Sequence, residues 1–307
     1  MSIKTKILVL GNSSFFRRRV LKSLKKIKNL DIVLCSKSSK INRENLVFFN
    51  DYKKAIRSSP NLVYISLINK LHHKYAKFAL ENKCNVIVDK PITNSLMHSK
   101  QLIKLAQKNK LLLAEATIFN YHNVYKKIIK SIGGIDKITH IQSNFNIPKI
   151  KKVHDIRRRD DDGLMDMSPY AAALIRIFFN KEYQITTKKI TYKNTSYVKN
   201  FFIFCTNKKI SYFGNFGSEN EYISEIRFFS NKKIVSINHQ AFALAPDTKV
   251  PVSFKEKNII KTINFSKDDA IKNFIQECLQ AIKQKKYDMY YKNILFDSKI
   301  REELKLK

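Results

Sequence analysis

Residues 62–92 constrain this chain more than any other stretch. Leu62-Val63-Tyr64-Ile65-Ser66-Leu67 and Cys84-Asn85-Val86-Ile87-Val88-Asp89 are short apolar, β-branched runs, and between them Leu71, Tyr75, Phe78 and Ala79 recur at helical spacing. The pattern reads as strand, helix, strand, with the two strands parallel. Parallel sheets bind ligands at the carboxyl ends of their strands. Asn69 and His72 follow the first run; Asp89, Lys90 and Pro91 close the second. Proline disfavours helix in the residue before it, so Lys90 should stop at the sheet rim.

The amino-terminal stretch extends the same architecture. Lys6-Ile7-Leu8-Val9-Leu10 is a short strand ending in Gly11, and Val20, Leu21 and Leu24 mark the buried side of a helix. A strand, a turn and a helix form the context that a dinucleotide fingerprint requires. Here the fingerprint is incomplete: Gly11 is present, but Ser13 and Phe16 stand where the later glycines belong. Phe16 is expected either to push helix and strand apart or to change how the loop holds a pyrophosphate. Asp31-Ile32-Val33-Leu34-Cys35 reads as the next strand, ending in Ser36 and Lys37 rather than in a carboxylate. An acidic residue there would accept from a ribose 2′-hydroxyl; a hydroxyl and a cation suit a 2′-phosphate instead. Lysine offers charge without the fork of arginine, which softens that selectivity.

At 307 residues the chain is long enough for one large or two ordinary domains, each with a core. No apolar run approaches the ~20 residues that span a bilayer. A strand begins within the first ten residues, which leaves no room for a signal peptide, so a cytoplasmic location without membrane association is expected. The four cysteines, Cys35, Cys84, Cys205 and Cys278, lie far apart, a spacing that argues against a metal site and for buried reduced thiols. The charge is unusual: 59 Lys and Arg against 25 Asp and Glu, a net +34. Such a balance raises nucleic-acid or anionic-surface binding. The lysines are nonetheless spread over every predicted helix and turn, with no aromatic-interleaved stripe. We read the excess as compositional and expect no nucleic-acid partner; a basic site for phosphorylated substrates is compatible with either reading.

Ile68-Asn69-Lys70-Leu71-His72 resembles the Pro-Asn-x-x-His segment of the glucose–fructose oxidoreductase/inositol dehydrogenase (Gfo/Idh/MocA) family, and Asp89-Lys90-Pro91 resembles its Glu-Lys-Pro signature. Gly11-Asn12-Ser13-Ser14-Phe15-Phe16-Arg17-Arg18-Arg19-Val20-Leu21 is similar to the Gly-x-x-x-(small/apolar)-x-Arg-Arg-x-(Leu) opening of a subgroup that includes NADP-dependent ketoreductases of nucleotide-linked deoxysugars. Glu115 to His122, at the end of the strand Leu111–Ala116, is similar to the stretch that closes the family's cofactor domain, which makes Tyr121 and His122 candidate substrate contacts. Gly163-Leu164-Met165-Asp166-Met167-Ser168-Pro169-Tyr170 resembles the family's Gly-(Gly)-x-Leu-x-Asp-x-Gly-x-(Tyr/His) segment. On one continuous helix the spacing of Asp166 and Tyr170 puts both on one face. If Ser168 instead caps and Pro169 begins the helix, Asp166 lies outside it. Phe213–Gly217, Glu221-Tyr222 and Gln240–Pro246 also look like the sugar-modifying branch.

The resemblance implies an α/β chain: an amino-terminal Rossmann domain over 1–118, and over 119–307 an α+β substrate-binding and oligomerisation domain with a mainly antiparallel open sheet. Short strands separated by Gly- and Asn-rich turns over 184–264, read as a meander, agree with this. A mixed-charge loop is expected at 151–162, and a final helix carries Ile271, Phe274, Ile275, Cys278, Leu279 and Ile282.

The resemblance further implies NADP(H), favoured over NAD(H), held by Gly11, Asn12, Ser13, Ser14, Phe15, Ser36, Lys37, Leu67, Asn69, His72, Asp89 and Lys90. It implies Lys90, Tyr170 and Asp166 as catalytic residues. The sugar-like substrate, preferably a nucleotide-linked keto-sugar, would meet Lys90, Tyr121, His122, Asp166 and Tyr170. Tyr170 would donate a proton; a phenol near pKa ~10 is a reluctant acid–base group at neutral pH, and a neighbouring ammonium would lower that value, with Lys90 the candidate. A homo-oligomer, dimer or tetramer, is expected. Two other classes compete: a catalytically impaired cofactor-binding homologue, motivated by the altered glycine loop, and an anion- or nucleic-acid-binding protein, motivated by the charge.

Overall fold

The computed structural model describes residues 4–37, 46–148, 163–179, 182–192, 197–218 and 221–306. The charged loop expected at 151–162 lies outside the described residues. The chain forms two compact units, one of residues up to Thr117 together with Ile271–Ser298, the other of Ile118–Ala270 with Lys299 onwards. The segment Ile271–Ser298, read from the sequence as part of the second domain, thus packs with the first unit.

The first unit is built on a six-stranded sheet of order β3-β2-β1-β4-β5-β6. Its strands are β1 (Thr5–Leu10), β2 (Leu30–Cys35), β3 (Val47–Phe49), β4 (Leu62–Ile65), β5 (Asn85–Asp89) and β6 (Leu113–Ala116). Every pairing is parallel. Strands covered on both faces by helices read as continuous apolar runs, and Ile7 to Leu10, Leu62 to Ile65 and Val86 to Val88 are all buried. The order reverses beside β1, which pairs with β2 on one side and β4 on the other. The crevice outside such a switch point is where an open α/β sheet takes a ligand.

Between β1 and β2 the chain makes a π-helical turn, Phe16–Val20, running into α1 (Leu21–Leu24). Phe16, in the third glycine position, lies in this π turn. Its ring is wholly buried, and the wider π turn accommodates it in the core. α2 (Tyr52–Arg57) is capped by Asp51. α3 (Asn69–Glu81) joins β4 to β5 and buries Tyr75, Ala76, Ala79 and Leu80, while α4 (Leu96–Asn109) is capped by Ser95, whose hydroxyl accepts from the His98 N–H.

The second unit begins with α5 (Asn123–Ile132) and an eight-stranded sheet of order β14-β13-β12-β11-β7-β10-β9-β8. Its strands are β7 (Ile138–Ile147), β8 (Gln184–Thr191), β9 (Val198–Thr206), β10 (Ser211–Ser218), β11 (Ile223–Ser230), β12 (Ile234–Ile237), β13 (Thr248–Glu256) and β14 (Ile259–Asp268). The pairing is antiparallel except between β7 and β10, which run parallel. A plain meander is therefore corrected at its centre. α6 (Gly163–Phe178) packs on β9 and β10. A Cβ on Gly163 would stand 2.6 Å from the Lys199 carbonyl oxygen, so glycine permits that approach. α6 runs unbroken through Pro169, and Asp166 lies in its first turn. The single expected carboxyl-terminal helix is two, α7 (Ala270–Gln284) and α8 (Asp288–Leu306). None of the helices described is long and apolar enough to cross a membrane.

Candidate active site

Five strand ends bring candidate residues to the carboxyl edge of the first sheet. At the end of β1, Gly11 has φ +104°, and a Cβ there would stand 2.2 Å from the Ser66 carbonyl oxygen. Only glycine allows the turn after β1 to lie so close to the end of β4. Ser13, in the second glycine position, earns its own geometry: its hydroxyl accepts from the Phe16 N–H at 3.0 Å and sits 3.2 Å from the Ser66 hydroxyl. Asn12 and Ser13 are half-buried, whereas Ser14 and Phe15 are exposed on the turn. Arg17 donates to the Asn12 carbonyl at 2.6 Å, folding back over this loop.

At the end of β2, Ser36 is 2% exposed, and its Oγ has no hydrogen-bond partner among the described residues. A buried hydroxyl without a partner is costly, so the position asks for an oxygen or nitrogen from elsewhere. Lys37, beside it, is exposed, with Nζ 5.4 Å from the centre of the Tyr52 ring. Burial pushes the neighbouring Cys35 thiol up to about 12, leaving it protonated and inert.

The ends of β4 and β5 are tied together by buried polar groups. His72 is 0% exposed; its Nδ1 lies 2.7 Å from the Pro91 carbonyl oxygen and its Nε2 3.0 Å from that of Leu67. Tyr64 donates to the Asp89 carboxylate at 2.6 Å. Burial raises the Asp89 pKa, opposed by hydrogen bonds from Tyr64 and Ser66 and by the charges of His72 and Lys90. Asn69 opens α3 and is half-buried, as are Leu67 and Lys90; the Lys90–Pro91 bond is cis. Beyond it, Glu115 at the end of β6 accepts from the Ile92 N–H and from the Thr117 hydroxyl, each at 2.9 Å. Ser66, Tyr64 and Glu115 join this edge beyond the residues expected from sequence. Their signal was present, a polar residue within or closing an apolar strand on the ligand edge.

The second unit holds the remaining candidates. Asp166 and Tyr170 are one turn apart on α6, both half-buried. The Tyr170 ring packs against Phe145 at 4.9 Å, Phe242 at 5.4 Å and Phe119 at 6.1 Å. Phe145 and Phe242 are themselves stacked, and each such pair contributes about 0.5–1.5 kcal/mol beyond area burial. This cluster fixes the phenol's direction, and it draws Phe242 from the Gln240–Pro246 stretch. Tyr121, half-buried, ends a short 3₁₀ turn that starts at Phe119. His122 caps α5: its Nδ1 accepts from the Val124 N–H at 3.1 Å, which leaves the proton on Nε2, buried and without a partner among the described residues. Burial lowers the His122 pKa, against the pull of Asp268 and Asp269.

The tight turn at Gly11 and the Ser36 hydroxyl without a partner among the described residues would fit a dinucleotide with its adenosine end over β2. Residues 5–117 match the family model described as oxidoreductase family, NAD-binding Rossmann fold (GFO_IDH_MocA). Over those residues the chain is similar to the Gfo/Idh/MocA Rossmann domain. Two curated relatives are each named dTDP-3,4-didehydro-2,6-dideoxy-alpha-D-glucose 3-reductase. The one from Streptomyces violaceoruber is 30% identical over 42% of this chain and 39% of its own length. The one from Saccharopolyspora spinosa is 27% identical over 55% of this chain and 54% of its own. The matched region thus spans about half or less of those relatives. In fold, the chain is similar to a mutant of KijD10, a 3-ketoreductase from Actinomadura kijaniata in complex with TDP-benzene and NADP. That likeness has a TM-score of 0.90 at 18% identity over 99% of this chain and 97% of that one. That likeness in fold covers residues of both units.

Proposed function

We propose that the protein is an NADP(H)-dependent oxidoreductase acting on a nucleotide-linked keto-sugar. The observation that carries the reading is the carboxyl edge of the first sheet, where the turn at Gly11 lies against the end of β4 and Ser36 holds a buried hydroxyl with no partner among the described residues. Ser36 and Lys37 are assigned to the 2′-phosphate, and Asn12 to Phe15 to the pyrophosphate turn. Leu67, Asn69, Asp89 and Lys90 line the nicotinamide end. The relatives' names and the NADP in the KijD10 structure support both cofactor and substrate class. Burial of Phe16 weakens the motive for a catalytically impaired homologue, since the ring is absorbed by the core.

When bound, the cofactor exchanges hydride with the keto or carbinol carbon. As negative charge grows on the substrate oxygen, a positioned proton donor and a cation lower the barrier. Tyr170 is assigned the proton, Lys90 the cation, and Asp166, on the same face of α6 as Tyr170, orients the sugar. Tyr121 and His122 are assigned to the substrate. The same reading takes the enzyme as a cytoplasmic homo-oligomer, a dimer or tetramer.

The test is incubation with NADPH and a panel of dTDP- and UDP-linked keto-sugars while cofactor absorbance is followed. Turnover with at least one of them, reduced about 100-fold or more in both Lys90→Ala and Tyr170→Phe, is expected. No oxidation with any of the panel, or turnover unchanged in both variants, would overturn the proposal.

A further inference from the structure

Lysine is a flexible point charge on a four-carbon stem, so its usefulness at a reacting oxygen depends on how firmly its backbone is aimed. The chain on either side of Lys90 is held by side chains from three different elements. Tyr64 of β4 donates to Asp89 at 2.6 Å, His72 of α3 lies 2.7 Å from the Pro91 carbonyl oxygen, and Glu115 of β6 accepts from the Ile92 N–H at 2.9 Å. A turn at a sheet rim can satisfy such groups with water. Here side chains replace it, and two of them, Tyr64 and His72, are buried, His72 at 0% exposure. Its second ring nitrogen reaches the Leu67 carbonyl oxygen at 3.0 Å, tying the corner after β5 to the corner after β4. Glu115 likewise uses its other oxygen, on the Thr117 hydroxyl at 2.9 Å.

We propose that His72 and Glu115 are positioning residues that aim the Lys90 ammonium, His72 through the Pro91 carbonyl and Glu115 through the Ile92 N–H. The inference rests on the assignment of Lys90 to the substrate oxygen, and it moves His72 from the cofactor contacts to the support of the lysine. Asp89, fixed by Tyr64, completes the corner from the amino-terminal side.

Two readouts test it. The first needs neither cofactor nor substrate: trace acetylation of the full-length protein with acetic anhydride, with each lysine resolved by peptide mass spectrometry. Lys90 labelling should change about threefold or more in His72→Ala and Glu115→Ala while the other lysines keep their rates, because displacing a group by about 1 Å is enough to alter its chemistry. Two variants of similar size guard against loss of folding. His72→Asn keeps a donor at the Nδ1 position and should restore Lys90 labelling; His72→Gln places its amide at the Nε2 position and should not. The second readout is kinetic, with NADPH and dTDP-3,4-didehydro-2,6-dideoxy-α-D-glucose. Glu115→Ala should lower kcat about tenfold with KM for NADPH little changed, and Glu115→Gln should recover it. Added to Lys90→Ala, neither change should lower turnover further, since a group acting through Lys90 has nothing left to aim. Lys90 labelling unchanged in the alanine variants, or losses that add in full to that of Lys90→Ala, would overturn the inference. Turnover unaffected by Lys90→Ala would instead overturn the assignment of the lysine itself, so the two failures are separable.

Discussion

Ser36 and His122 each carry a polar atom that folding has removed from water without a partner among the described residues, and each sets a measurable expectation. For Ser36 the missing partner is assigned to the cofactor's 2′-phosphate. A hydrogen bond to a charged group contributes about 1.5–3 kcal/mol, so Ser36→Ala should weaken NADPH binding about 10- to 100-fold. NADH, which lacks that phosphate, should bind within about twofold of wild type; fluorescence titration with both nucleotides reads the difference. His122 sets an expectation on pH. Its folded-state pKa lies below the ordinary 6.5 because burial disfavours the imidazolium. The unfolded chain therefore takes the proton more readily, and the stability tied to the neutral ring is present above pH 6.5 and lost as pH falls below it. His122→Ser keeps a capping oxygen for α5. Urea midpoints measured from neutral to mildly acid pH should fall less steeply in that variant than in wild type.

The elements show where sequence logic reached and where it stopped. β4, α3 and β5 were legible because apolar runs of β-branched residues and a helical period leave little else for 62–92 to form. The π turn at Phe16 was not legible, because the fingerprint assumes an ordinary α-helical turn; the ring is buried in the core there. Restoring glycine there should not improve the fold. Phe16→Gly removes a fully buried ring and should cost about 3–5 kcal/mol by chemical denaturation, the range for emptying an aromatic site. Pro169 left two helix starts open from local rules alone; the described helix already includes Gly163 and Asp166 and runs on through the proline. The parallel pairing of β7 with β10 was not legible, because strand neighbours far apart in sequence leave no local trace. Nor was the role of Glu115, whose partners Ile92 and Thr117 come together only when β5 and β6 align.

At the scale of the whole molecule, composition alone pointed in several directions. The net +34 admitted an anion-binding protein, and the dinucleotide proposed for the carboxyl edge of the parallel sheet is one such anion. The expected fate of the thiols is met: all four cysteines are free and buried, with burial holding Cys84 up to about 11 and Cys35 up to about 12. None of the four should react with a thiol reagent in the native state, and all should react once the chain is unfolded in guanidinium. The central claim is that a nicotinamide bound at this sheet edge gives its hydride to a sugar carbonyl. It is tested most directly with NADPH deuterated at C4 on the transferring face, incubated with the protein and a dTDP-linked keto-sugar, the product then being read by mass spectrometry. The account predicts one deuterium on the carbon that was the carbonyl; a reduced sugar without deuterium, or no reduced sugar from any keto-sugar tried, would contradict it.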